Sequence, residues 1–304
     1  MLPKLEGYAA AILGSLDAAA VAEVARELEV VDATVDTRSD LRAVFTDTAI
    51  SATSRGAVAR DLFANKVVPA TARIAAYAAL SAPAQDVPGA LGDAAHYALE
   101  KSHAERYIPH GLSLLAARKR VAGFADAVLE DLPTDAFGAI EDDLFRWART
   151  IEANADLRRL LVDRDASIES RLGITAQLLD GKASAASVRL ALYVIEGGRP
   201  RDVVGTLDYL VDYTAMARNW RVARVRSAFP LEEVSRQALI ASLSALTGTP
   251  VDLQITEDPS LLGGILVEVG DLRLDATTRG RLGALRESVA NGATTNLLSN
   301  RNEK

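Results

Sequence analysis

The sequence predicts a mainly α-helical chain: two tandem six-helix bundles followed by a small α/β C-terminal domain. Three grounds carry that reading. Ala, Leu and Arg are plentiful while aromatic residues make up only 5% of the 304 residues, a mix that favours helices. The chain matches itself without a gap at an offset of 116 residues, which marks a duplicated structural unit. And residues 250–283 change the apolar period from that of a helix to that of a strand.

The duplication is read residue by residue. Gly7-Tyr8-Ala9-Ala10-Ala11-Ile12-Leu13 pairs with Gly123-Phe124-Ala125-Asp126-Ala127-Val128-Leu129, Asp40-Leu41-Arg42 with Asp156-Leu157-Arg158, and Ser54-Arg55 with Ser170-Arg171. Arg73 pairs with Arg189, Tyr77 with Tyr193 and Tyr97 with Tyr213. In the first copy Tyr8, Ala11, Ile12 and Leu16 form one helical stripe, which Phe124, Ala127, Val128 and Leu132 reproduce. Amphipathic stretches follow at about 18–37 and 134–153, with short ones at Leu41–Phe45 and Leu157–Leu161. Helical runs then cover roughly 54–64, 67–81 and 88–106, each with an equivalent 116 residues on. Pro88 and Pro200 fall between helices, and Gly197-Gly198 supplies a helix stop.

Past the second copy, Val251, Leu253 and Ile255 alternate with Asp252, Gln254 and Thr256, a strand with one wet face. Asp258-Pro259-Ser260 ends it. Gly263-Gly264 allows dihedral angles closed to other residues, and Ile265, Val267 and Val269 begin a second strand. Gly270-Asp271 turns the chain into Leu272 and Leu274, a hairpin. Asp275, Thr277 and Thr278 are each able to cap the helix that carries Arg279, Arg281, Leu282 and Leu285. The expected organisation is therefore 1–115 and 116–220 as helical bundles, 221–290 as the α/β domain, and 291–304 as a polar tail that frays.

Composition removes several function classes. The net charge of −7 argues against nucleic-acid binding. The basic clusters Arg118-Lys119-Arg120 and Arg221, Arg224, Arg226 sit at domain junctions, where linker solvation or ion pairing with a neighbouring subunit is expected. No run of about 18 uncharged apolar residues exists, so a soluble chain with no direct insertion into a membrane is expected. Without cysteine there are no disulfides or thiolate metal sites. His96, His103 and His110 are seven residues apart, which on a helix separates neighbours by about 10 Å, too far for one metal. Neither a phosphate-binding G-x-x-x-x-G-K-[ST] loop, nor a G-x-S-x-G elbow, nor a G-x-G-x-x-G fingerprint is present, so no cofactor and no catalysis are expected. The acidic run Glu141-Asp142-Asp143 reads as a solvated helix face.

The string 250–283 resembles the C-terminal signature of the delta subunit of F-type ATP synthase, the oligomycin-sensitivity-conferring protein family. Asp258, Gly263, Gly264, Gly270, Asp271, Asp275, Arg279, Gly280, Arg281 and Leu282 fall where that pattern has them, whereas Asp275-Ala276-Thr277 stands where it usually reads Asp-Gly-Ser. The run Tyr193-Val194-Ile195-Glu196-Gly197-Gly198-Arg199 resembles the end of the family's fifth helix, which makes 116–220 the standard head-binding bundle and 1–115 an added one. The resemblance implies a non-catalytic stator subunit. It would link the catalytic head to the b subunits of the peripheral stalk, at the cytoplasmic face of the cell membrane, and resist rotation during ATP synthesis.

In the family, the N-terminal helix of the alpha subunit lies in a groove between the first and fifth helices of the bundle. Carried over, that groove is lined by Phe124, Val128, Leu190 and Tyr193, with Tyr8, Ile12, Ile74 and Tyr77 as the first-copy equivalents; the same side chains would equally fill a bundle core. Leu282, Leu285 and Val289 are the candidates for the b-subunit contact, again with a core role open to them. An unrelated all-α scaffold or adaptor is the alternative, since the duplication alone fits any such protein.

Overall fold

The computed structural model describes residues 1–103, 112–163, 166–261, 263–270 and 272–280. It is mainly helical with a small C-terminal sheet, and it divides into two compact units, Met1–Thr214 and Ala215 onward.

The first unit holds α1 (Pro3–Leu13), α2 (Ala18–Thr37), α3 (Ser39–Thr46), α4 (Ala52–Phe63), α5 (Pro69–Ser81) and α6 (Val87–Ser102). It continues with α7 (Leu114–Glu130), α8 (Phe137–Ala153), α9 (Ala155–Val162), α10 (Ile168–Leu179), α11 (Ala185–Gly197) and most of α12 (Val203–Ala217). The bounds of α3, α4 and α5 reappear 116 residues later as those of α9, α10 and α11. The starts have local causes. Asp17, Ser51, Ser167 and Ser184 each accept a backbone N–H bond from the first turn of α2, α4, α10 and α11, satisfying donors a helix start otherwise leaves open. Pro69 at the first position of α5 lacks the N–H that would be orphaned there.

Two carboxylates, Glu27 half-buried and Asp143 buried, hold the starts of α5 and α11. Glu27 accepts from Val68 N at 2.8 Å and Thr71 Oγ1 at 2.7 Å before α5. Asp143 accepts from Ser184 N at 2.9 Å and Ser187 Oγ at 2.8 Å before α11. The acidic run 141–143 is therefore no solvated face. Glu141 is fully buried and Asp143 is 8% exposed, with Asp142 between them exposed; the negative charge of Asp143 is matched to the positive end of α11.

α1 and α7 cross in close contact. A Cβ on Gly7 would lie 1.7 Å from the Arg120 carbonyl oxygen, and one on Gly123 would lie 1.8 Å from that of Lys4. Only glycine lets these backbones approach so closely. Buried alanines line the same two helices, Ala9 and Ala11 on α1 and Ala117, Ala122, Ala125 and Ala127 on α7. Their small side chains allow the short interaxial distance that fixes the crossing.

The second unit is a four-stranded sheet of order β2-β1-β3-β4, with β1 at Arg221–Ser227, β2 at Val251–Glu257, β3 at Ile265–Val269 and β4 at Leu272–Asp275. β1 runs parallel to β2 through the crossover helix α13 (Glu233–Thr247) and antiparallel to β3, which pairs with β4 as a hairpin. Ala223, Val225, Leu243, Val251, Leu253, Val267 and Val269 form its core. The expected strands 251–256, 265–269 and 272–274 are present. The basic cluster 221–226 is no solvated linker but β1, an inner strand of the sheet, with Val222, Ala223 and Val225 buried between its arginines. Gly263 and Gly264 have φ of +155° and +81°, and a Cβ on Gly264 would meet the Ala276 carbonyl oxygen at 2.4 Å. A helix begins at Thr278, with the Thr277 hydroxyl accepting from Gly280 N at 3.0 Å. Leu282, Leu285, Val289 and the tail 291–304 lie outside the described residues.

Candidate partner-binding site

The eight bundle residues assigned to the grooves are all buried. Tyr8, Ile12, Ile74 and Tyr77 sit on α1 and α5; Phe124, Val128, Leu190 and Tyr193 sit on α7 and α11. The structure brings them together as two aromatic stacks. The Tyr8 and Tyr77 rings lie 3.8 Å apart at 7°, and the Phe124 and Tyr193 rings 3.8 Å apart at 13°. The first stack joins α1 to α5 and the second joins α7 to α11. Parallel ring packing at this distance adds to the area buried.

Ionic pairs run from one set of helices to the other across the α1–α7 crossing. Lys4 reaches Asp126 at 3.0 Å and Arg120 reaches Glu6 at 2.9 Å. The hydroxyls of Tyr77 and Tyr213 both donate to Asp126, the latter at 2.6 Å. The Tyr8 hydroxyl donates to Glu130, which also accepts from Arg73 at 3.2 Å and Arg60 at 3.3 Å. Arg73 extends to Asp131 at 3.1 Å. Burial first, and then the neighbouring carboxylate, pushes the Tyr8 and Tyr77 phenols well above their ordinary range; burial does the same to Tyr193. Arg120 is 4% exposed, and Arg118 pairs with Asp202 at 3.0 Å. The cluster 118–120 therefore belongs to a packed helix, not to a solvated linker, because α7 begins at Leu114 and carries it into the α1 crossing.

Beside the second stack a cleft of about 500 Å³ opens between α1, α2, α6, α7 and α11. Phe124 and Tyr193 line it, along with Leu192, Arg189 and Glu196. Val128, Leu190 and the four first-copy residues do not. The Glu196-Gly197-Gly198 run has a physical cause here. A Cβ on Gly197 would lie 2.7 Å from the Tyr193 ring, and one on Gly198 would lie 2.3 Å from the Val194 carbonyl oxygen. Gly197 thus leaves room for the ring over the last turn of α11, and Gly198 lets the chain leave the helix close to the Val194 carbonyl.

No group of His, Asp and Glu among the described residues has the arrangement to hold a metal ion. His96 is exposed and lies 3.3 Å from Glu100, and His110 lies outside the described residues. No helix among the described residues is long and apolar enough to cross a membrane.

What the structure defines is a mainly helical unit, held by a glycine-mediated crossing and aromatic stacks, and, later in the chain, a small mixed α/β unit. Residues 122–289, which take in α8 to α13 and the sheet, match the family described as the ATP synthase delta (OSCP) subunit. The chain is 32% identical to the ATP synthase subunit delta of Nocardia farcinica over 94% of this chain and 95% of that one. It is 32% identical to that of Streptomyces avermitilis over 89% of each, and 30% identical to that of Corynebacterium aurimucosum over 91% and 92%. The chain belongs to the ATP synthase delta (OSCP) subunit family. A chain in the cryo-EM structure of the Toxoplasma gondii mitochondrial ATP synthase hexamer is 23% identical, covering 57% of this chain and 97% of that one with a TM-score of 0.39, a likeness too loose to bear on the fold.

Proposed function

We propose that this chain is a non-catalytic stator subunit of an F-type ATP synthase, peripheral at the cytoplasmic face of the cell membrane. Residues 116–220 act as the bundle that grips the alpha-subunit N-terminal helix, and residues 1–115 as an added bundle of the same design. The α/β unit from 221 holds the b subunits, with Leu282 and Leu285 on its contact helix. The family membership over most of the chain carries this reading. Resisting torque requires a rigid body between two attachments. The α1–α7 crossing and its ionic pairs supply the rigidity within the helical unit.

The cleft beside Phe124 and Tyr193 supports a helix-in-groove contact on α7 and α11. Tyr8, Ile12, Ile74 and Tyr77 take the equivalent places in the first bundle, where Glu130 and Asp131 close the corner, and Val128 and Leu190 would back the second. The test is calorimetric titration of the full chain with a peptide of the partner alpha subunit's N-terminal helix. Leu192→Asp, at a half-buried rim position, is expected to weaken binding while circular dichroism stays unchanged. A full chain that binds neither the peptide nor the isolated catalytic head would sink the stator reading.

A further inference from the structure

The two sides of the α1–α7 crossing are not equivalent. On one side the corner is closed by two carboxylates of α7 and the residue after it: Glu130 accepts from the Tyr8 hydroxyl, Arg60 and Arg73, and Asp131 from Arg73. On the other side the positions 116 residues away read differently. Arg189 stands for Arg73, but Gly14 and Ser15 stand for Glu130 and Asp131. The place of the carboxylates is the cleft, and Gly14 lines it.

The cleft's polar groups lack acceptors to match. Arg120 is 4% exposed; its Nη2 pairs with Glu6, while its Nε and Nη1 have no acceptor. The Tyr97 hydroxyl, on a residue 6% exposed, has none either, and the Tyr193 hydroxyl, on a residue 5% exposed, faces Arg120. Arg189 adds positive charge at the rim, and Glu196 is the lining carboxylate. Buried donors without acceptors are costly, and here they converge on an open space.

We propose that the cleft receives an acidic side chain from a partner helix, whose carboxylate takes the place that Glu130 fills on the closed side, with Arg189 and Arg120 as its donors. The apolar lining from Ala10, Ala11, Leu13, Phe124 and Leu192 accepts the same helix's apolar face. Arg189 thereby selects among amphipathic helices by charge, a fork-shaped donor being suited to a carboxylate. This inference rests on the stator reading above and specifies its contact.

The test is titration of the full chain with the isolated catalytic head at low and high salt. Arg189→Glu is expected to weaken binding roughly tenfold or more and to remove much of its salt dependence, and Arg189→Lys to weaken it less. Arg158→Glu, an exposed charge reversal on α9 away from the cleft, is expected to leave it near wild type. Arg189 is itself exposed, so its variants keep the fold, which circular dichroism checks. Wild-type binding that Arg189→Glu leaves unchanged overturns this inference alone. Free glutamate or phosphate bound through Arg189, with head binding unaffected by its loss, would make the cleft a small-anion site and overturn it too. A wild-type chain that does not bind the head overturns both readings.

Discussion

Gly123→Ala tests the α1–α7 crossing directly. At an exposed helical position, replacing glycine by alanine stabilises by about 1 kcal/mol. Here the new Cβ would sit 1.8 Å from the Lys4 carbonyl oxygen, where ordinary contact begins at 3.4 Å. The helices must separate by roughly 1.5 Å, and a gap of even 0.5–1 Å already forfeits a quarter to a half of each dispersion contact across the seam. Overpacking of this kind costs about 1–3 kcal/mol, and the shift also stretches Lys4–Asp126, Glu6–Arg120 and the Tyr8–Glu130 bond. The expected net effect is a loss of about 2 kcal/mol, read as a lower urea midpoint at unchanged slope. Gly173→Ala is the control, because nothing lies within 4 Å of a Cβ there on exposed α10; it should raise stability. Gly7 meets the same crossing, so one separation relieves both clashes and the double variant should lose less than the sum. A Gly123→Ala chain as stable as Gly173→Ala would refute the close crossing.

Asp143→Ala removes the acceptor of Ser184 N and Ser187 Oγ at the start of α11 and should cost about 1–2 kcal/mol in thermal or urea unfolding; no loss would mean the clamp is not formed. Tyr8, Tyr77 and Tyr193 have phenols raised by burial, so their contribution to stability is complete below the ordinary phenol pKa of about 10 and is lost as pH rises above it. Phenolate absorbance should therefore lag in the folded chain and appear with alkaline unfolding, and a smooth titration near the ordinary value would contradict the stacks.

Much of the fold was legible in local pattern. Helix stripes and amphipathic runs place α1 to α12, and alternating apolar residues place β2, β3 and β4, because these signals depend only on neighbours along the chain. β1 was hidden by its arginines. Arg221, Arg224 and Arg226 suggest a solvated segment, yet Val222, Ala223 and Val225 between them form the centre of the sheet. α13 carried a usable signal in Leu239, Ile240 and Leu243, followed by Gly248 in the left-handed region at φ +69°. The burial of Glu141 and Asp143 was not readable, since a carboxylate run is solvated unless another helix start comes to meet it, and α11 lies 41 residues on. Gly7 and Gly123 were visible as matched positions in the duplication. Their use as a crossing was not, because a glycine in a helix says nothing of which backbone approaches it.

The crossing also governs what happens when the chain is divided. Cutting in the segment between α6 and α7 separates Lys4, Glu6 and Tyr8 from Asp126, Arg120 and Glu130. It also uncovers the alanine-lined faces of α1 and α7, and an interface of that composition is stable only when closed. Two co-expressed pieces, 1–112 and 113–304, should therefore co-purify without a covalent link, and Gly123→Ala should weaken their association by acting on the same contact. Pieces that fold separately and stay apart would show that each set of helices is complete alone. The ionic pairs would then be rim contacts, worth little, and the rigidity ascribed to the helical unit would need another source.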